Sequence, residues 1–279
     1  MVAPLLVFII GLALYPTGVT IAESFFRVDP LTGPSRFAGI QNFRDIFSIP
    51  TIRESVLNTA LYIVFGVALT VIIGTCFALL LQRKFRVRAA FLAIVILPWA
   101  LPGVVEGVIW SWIYDPNFGV LNSVLKSLGL IQHYKLWVGS SHISSIFLTS
   151  LVQVWQITPL ATLLVLASLQ AIPGELYEAA RVDGAGRWEA IRRITLPLAR
   201  PGLAIATAEA LVMSLNIFDQ VYVLNGAATT GESLMTTTYY ITFQDLNFGE
   251  GYAISLLATI ATVVLAAVAL KVLYRKVEF

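Results

Sequence analysis

Long apolar runs separated by short polar stretches set the pattern of this chain. Six runs, Val2 to Ala22, Val56 to Leu81, Ala89 to Trp112, Ile143 to Leu169, Leu203 to Phe218 and Tyr252 to Leu273, stand out. A helix needs roughly 20 mostly apolar residues, at about 1.5 Å rise each, to cross a bilayer. The pattern therefore predicts six transmembrane helices. Backbone polar groups in lipid must pair internally, which restricts the fold to a helical bundle or a closed barrel. The runs lack the strict alternation of barrel strands, so the predicted fold class is all-α and polytopic.

One polar stretch breaks this pattern. Glu178 to Pro197 reads EAARVDGAGRWEAIRRITLP and packs seven charged residues, Glu178, Arg181, Asp183, Arg187, Glu189, Arg192 and Arg193, between two apolar runs. Pro173-Gly174 stops the preceding helix, Glu175 to Val182 has helix-forming residues, and Gly184 with Gly186 ends it. The prediction is a short helix of about two turns outside the bilayer, then a second helical piece from Trp188 to Ile194 leading to Pro197 and Pro201. Leu176, Tyr177, Ala180, Ile191 and Ile194 leave apolar patches beside the charges. Such a segment suits either an interfacial connector on lipid headgroups or a docking element for another protein.

Composition agrees with the membrane reading, since 58% of residues are hydrophobic and only 12% charged, against about one quarter charged in soluble domains. Charge then sets orientation. Twelve of the 18 basic residues fall in the loops holding Arg83 to Arg88, Arg181 to Arg200, and the C-terminal Lys271, Arg275 and Lys276. The opposite loops hold Arg27, Arg36, Arg44, Arg53, Lys126 and Lys135, and Gln220 to Gly251 has no basic residue. By the positive-inside rule both termini and the Glu178 loop are expected to be cytoplasmic. The start MVAPLLVFII has no basic flank, so a retained first helix is expected rather than a signal peptide. The single cysteine, Cys76, allows no internal disulfide, and His133 with His142 is read as a pair of solvated loop residues.

No Gly-rich segment ends in Gly-Lys-Ser/Thr, and no His-Glu-x-x-His or Gly-x-Ser-x-Gly occurs. Nucleotide hydrolysis and the common membrane proteolytic chemistries therefore have no motif here, and no catalytic or metal-binding residues are assigned.

The polar loop also carries a resemblance. Glu178-Ala179-Ala180, three residues, Gly184, nine residues, Ile194, one residue and Leu196-Pro197 match without a gap the loop signature of permease subunits of binding-protein-dependent ABC importers. The resemblance extends over nearly the whole chain and points to the carbohydrate-uptake branch of maltose and glycerol-phosphate type. Phe37 to Phe43 (FAGIQNF) resembles its first-loop motif, Trp110 to Asn122 (WSWIYDPNFGVLN) its third-helix exit, and Phe218 to Asn225 (FDQVYVLN) the segment before its Gly-Gly-Pro loop. Shorter matches to the glycerol-phosphate importers are Arg27 to Pro30 and Lys276 to Phe279. Where the branch shows Thr-x-Gly-Gly-Pro, this chain has Asn225-Gly226-Ala227-Ala228, a departure that affects the outer loop.

The resemblance implies an inner-membrane permease, in a bacterial or archaeal cell, that forms half of a path for a sugar or sugar-like solute. Its implied partners are a second homologous permease, two ATP-binding chains, an extracytoplasmic solute-binding protein and the bilayer. ATP and Mg would be bound by the partner ATPases and no cofactor by this chain. Glu178, Ala179, Ala180, Arg181, Asp183, Gly184, Ile194, Leu196 and Pro197 become the ATPase-coupling residues. Residues 1–55 are read as a first helix with an external loop, and 56–279 as the permease core with its coupling loop at 172–200. An ion-coupled secondary transporter and a non-transporting scaffold subunit remain the rival readings.

A solute path requires polar residues on one face of otherwise apolar helices. Gln153, Gln156 and Leu160 lie at i, i+3, i+7 in the fourth run, with Trp155 beside them. Glu209, Met213, Asn216 and Gln220 follow i, i+4, i+7, i+11 in the fifth, beside Ser214. Amides and aromatic faces suit a solute with many hydroxyls and some apolar surface. Gln153, Trp155, Gln156, Leu160, Glu209, Met213, Ser214 and Asn216 are the candidate path residues, against the alternative that polar side chains only join helices. Glu106 is assigned to packing or to the external mouth, and Asp219 to a cap.

Overall fold

A computed structural model describes residues 7–28, 30, 33, 35–83, 85–225 and 230–274. The chain start, Gly226 to Ala228 of the altered outer loop, and the KVEF end lie outside these. The elements in order are α1 (Val7–Glu23), β1 (Phe26–Arg27), β2 (Arg36–Phe37), α2 (Gln41–Ser48), α3 (Pro50–Leu81), α4 (Arg88–Ala100), α5 (Gly103–Tyr114), α6 (Val120–Ser127), α7 (His142–Gln170), α8 (Gly174–Val182), α9 (Arg187–Leu198), α10 (Arg200–Leu215), α11 (Asp219–Asn225), α12 (Leu234–Tyr239) with a π turn at Tyr240–Gln244, and α13 (Phe248–Leu273). Among the described residues the fold is all-α apart from the two-residue antiparallel pair, which sets Phe26 opposite Phe37 and Arg27 opposite Arg36.

Among the described residues three helices, α3, α7 and α13, are each long and apolar enough to cross a membrane, and the bent pairs α4–α5 and α9–α10 bring the number to as many as five. The 17-residue α1 is shorter. Ala89 to Trp112 was expected as one helix, but α4 and α5 meet at 103°. The cause is Pro98 and Pro102. Pro98 tightens the end of α4 into a 3₁₀ turn, and Pro102, extended at ψ 140°, is the N-cap of α5 and offers no N–H to continue the ladder. The expected helix Leu203 to Phe218 also stops early. Asn216, at φ −96° and ψ 20°, is the C-cap of α10, so Phe218 lies beyond it.

The chain divides into two compact units, 1–59 with 232–263, and 60–231 with 264–279; the boundary after residue 55 read from sequence falls inside α3. The first unit has a core of Ile46, Ile52, Ile241, Ala253 and Ile254, with Phe43 and Leu257 against it. Buried Asn42 ties α2 to the hairpin, its Nδ2 donating to the carbonyls of Ser24 (2.9 Å) and Phe26 (2.8 Å). This explains Asn42 within FAGIQNF: one amide satisfies two carbonyls that strand pairing leaves free.

The second unit is built on small-residue packing around α7. A Cβ on Gly74 of α3 would stand 3.1 Å from Ala161 Cβ, and one on Gly202 of α10 would stand 2.7 Å from the Leu164 carbonyl oxygen. Helices in lipid lack a hydrophobic drive to associate, so close backbone approach through glycine supplies the dispersion contacts that hold them. Asp115 closes the α5 exit, its Oδ1 accepting from the N–H groups of Asn117 (2.7 Å) and Phe118 (3.0 Å). Asn122 then bonds Lys135 and Trp137. His133 is exposed in the following loop, whereas His142, expected in a loop, is the first residue of α7.

Candidate functional site

The polar loop forms two helices. None of the nine residues of α8 is buried, and Glu175 in its first turn and Arg181 in its last complement the helix dipole. Its end is a left-handed cap, with Gly184 N–H donating to the Arg181 carbonyl (3.2 Å) and Ala185 N–H to that of Ala180 (2.9 Å). Gly184 has φ +81°, and a Cβ there would meet nothing within 4 Å. Glycine is required by the backbone angle alone. Glu178, Ala179, Ala180 and Arg181 lie on α8, and Asp183 is its C-cap. Ile194 lies in a π turn, Ile191–Thr195, and Leu196 and Pro197 follow in the last turn of α9. Tyr177 and Thr195, joined through their hydroxyls at 3.1 Å, tether α8 to α9. The ion pairs Arg181–Glu178 (4.0 Å) and Arg193–Glu189 (3.1 Å) are exposed and add little.

The candidate path residues do not form one group. Gln153 and Ser214 are brought together and buried: Gln153 Nε2 donates to the Met213 carbonyl at 2.8 Å, and Gly66 of α3 presses against Ser214 Oγ and Gln153 Oε1. Glu209, Met213 and Asn216 form a second group along α10, with Met213 and Asn216 exposed and Glu209 half-buried. Trp155 faces elsewhere. It packs edge-on to Trp110 with ring centroids 5.7 Å apart, in an apolar groove shared with Ile73, Phe77 and Phe91. Leu160 is half-buried further along α7. The expected α10 stripe reaching Gln220 is broken, because the helix ends at Leu215 and Gln220 belongs to α11.

Gln220 instead joins a cluster that sequence reasoning did not assemble. Its Nε2 donates to Gln156 Oε1 (2.9 Å) and Glu106 Oε2 (3.3 Å), while Gln156 Nε2 reaches the Leu101 carbonyl (3.4 Å) at the α4–α5 break. Glu106 is fully buried, and its Oε1 has no hydrogen-bond partner among the described residues. Asp219 sits against Gly103, at the first residue of α5. Two prolines inside one apolar run were the available signal, since a broken span frees carbonyls that polar side chains must then meet.

In the first unit, Glu232 lies between the apolar segments. Burial pushes its carboxyl above the usual carboxylate range; a hydrogen bond from Thr237 Oγ1 (3.3 Å) opposes this and the nearby Glu54 adds to it.

Comparison with known proteins places this geometry. Residues 66–278 match the family described as "Binding-protein-dependent transport system inner membrane component", and the match takes in the polar loop and both candidate path helices. The chain belongs to this family. As a binding-protein-dependent permease it is a multi-pass inner-membrane transport subunit of an ABC importer, and ATP hydrolysis belongs to a separate chain. It is 35% identical over 98% of its length to the trehalose/maltose transport system permease protein MalF of Thermococcus litoralis, covering 92% of that protein. It is 32% identical to the sulfoquinovosyl glycerol permease SmoG of Agrobacterium fabrum, over 92% of this chain and 84% of that one. With the diacetylchitobiose uptake permease DasB of Streptomyces coelicolor it shares 29% identity over 98% of its length and 84% of the relative's. The fold matches a chain of a bacterial ABC transporter involved in import of the acidic polysaccharide alginate, with a TM-score of 0.81 at 22% identity over 99% of this chain and 94% of that one. The permease has the type I ABC importer fold.

Proposed function

We propose that this permease forms half of the translocation path for a sugar or sugar-like solute and that α8 docks on a cytoplasmic ATPase. The observation that carries the docking reading is α8 itself, a nine-residue helix with no buried residue, closed by Gly184 at φ +81°. A helix so exposed, tethered to α9 by Tyr177 and Thr195, suits a lever between a soluble motor and the membrane helices. Relatives named for trehalose/maltose, sulfoquinovosyl glycerol and diacetylchitobiose support a sugar as solute.

Six spans are counted with α1 as the first, and both termini face the cytoplasm. A second homologous permease completes the path and two ATPase chains bind ATP and Mg. An extracytoplasmic binding protein delivers the solute; a solved alginate transporter of like fold is described in complex with a solute-bound periplasmic protein. Met213 and Asn216 contact the solute from the open face of α10, with the half-buried Glu209 one turn before Met213 on the same stripe, while Gln153 and Ser214 fix that face against α7 and α3.

Purification of the tagged chain from its own host in mild detergent tests this, with mass spectrometry of what accompanies it. Recovery of an ATPase and a second permease is expected, giving a complex whose ATP turnover rises with the correct sugar and its binding protein. A stable, monodisperse chain recovered alone would sink the docking reading.

A further inference from the structure

A cavity of about 540 Å³ opens behind α8, between its inner face, the end of α3 and the turn into α9. Its wall is divided in chemistry. Arg83, Arg181 and Arg187 line one part, while Leu79 and Ile191 line another, and no acidic residue among the described residues lines it. Arg181 is engaged from outside the cavity by exposed Glu178 at 4.0 Å. Arg83 and Arg187 have no ion-pair partner among the described residues.

The depth of the cavity restricts what fits it. The apolar run of α3 ends at Leu81, so Leu79 belongs to the membrane span whereas Arg83 follows it. The cavity therefore lies at the boundary between hydrocarbon and water, where phospholipid headgroups lie. A free inorganic anion would meet the guanidinium groups but leave the Leu79 and Ile191 side wet. A headgroup fits both, its phosphate among the arginines and its glycerol end against the apolar wall.

We propose that this cavity holds the headgroup of an anionic phospholipid, which braces α8 against the end of α3. The proposal rests on the reading of α8 as a cytoplasmic coupling helix and adds a lipid requirement to it. A phosphate shared by Arg83 just beyond the end of α3, Arg181 of α8 and Arg187 of α9 links three elements that must move together if α8 is to drive the membrane helices.

The test is native mass spectrometry of the purified complex titrated with phosphatidylglycerol, with phosphatidylcholine and with inorganic phosphate. Phosphatidylglycerol is expected to be retained by this chain in preference to phosphatidylcholine. The double variant Arg83→Gln/Arg187→Gln should weaken retention by about tenfold or more, given roughly 1 kcal/mol per basic residue near an anionic surface. Arg86→Gln, outside the cavity, should leave retention unchanged. Ala185→Phe, which narrows the cavity without altering charge, should also weaken it. Equal retention by wild type and double variant, equal retention of both lipids, or binding of inorganic phosphate alone would overturn the proposal. Lipid is read on this chain's own mass peak, so absence of the ATPases counts against the docking reading and leaves the lipid result standing.

Discussion

Gln153 on α7 donates its side-chain amide to the backbone carbonyl of Met213, in the last turn of α10, at 2.8 Å. The last carbonyls of a helix have no partner within it, so this bond is a C-cap supplied by a neighbouring helix. Asn216, the C-cap residue, stays exposed, and its Nδ2 donates at 2.8 Å to the Val212 carbonyl, which already accepts the Asn216 backbone N–H at 3.2 Å. The two amides predict different phenotypes. Gln153→Leu leaves the part-buried Met213 carbonyl without this donor, at a cost of about 1 kcal/mol, and should lower the melting temperature of the purified complex. Asn216→Ala should leave melting nearly unchanged and raise the KM for solute uptake about tenfold, the size of one lost hydrogen bond to a polar ligand. Equal melting of both variants would contradict this division of roles.

The Glu106–Gln220–Gln156 cluster predicts a non-additive pair. Gln220→Leu removes the donor facing the buried Glu106 carboxyl and should destabilise the complex by about 1–3 kcal/mol. Glu106→Gln in the same chain should recover part of that loss, because a carboxyl without its donor is harder to bury than an amide. Thermal unfolding of the two single variants and the double variant reads the coupling. Strict additivity would show that the 3.3 Å contact carries no energy.

Gly184 predicts a penalty that scales with backbone angle rather than side-chain size. Its φ is +81° with open space where a Cβ would stand, so Gly184→Ala should cost about 1–2 kcal/mol in the loop, and Gly184→Asn less. The ratio of ATP hydrolysed to solute moved should worsen in the order Gly, Asn, Ala. If Asn is worse than Ala, contact rather than backbone angle governs the position.

Glu232 predicts a pH effect. Its carboxyl is raised by burial, so the folded state favours the protonated form. The stabilisation from protonation is complete below the ordinary carboxylate range and is lost as pH rises through the raised value. Melting temperature should therefore rise on acidification from neutral pH, and Glu232→Gln should flatten that rise. A steeper profile in the Gln variant would reverse the assignment.

Much of this was legible in the chain because it depends on local chemistry. Apolar run length locates α3, α7 and α13 whatever surrounds them, since no other backbone arrangement pairs its own polar groups in lipid. Pro173 and Gly184 delimit α8 because one lacks a donor and the other tolerates positive φ. The division among polar residues was not legible. A stripe through Asn216 and Gln220 looks continuous by helical spacing, yet α10 ends between them. Gln153, Trp155 and Gln156 are near neighbours in sequence but meet α10, the apolar groove and α11 respectively. Helical periodicity fixes the relative directions of side chains along a helix, whereas only tertiary packing decides which neighbour lies in each direction. The chain by itself determined the spans α3, α7 and α13, its exposed loop helix and its family; the tertiary structure decided where the proline-bearing runs break, which polar groups hold helices together and which face outward.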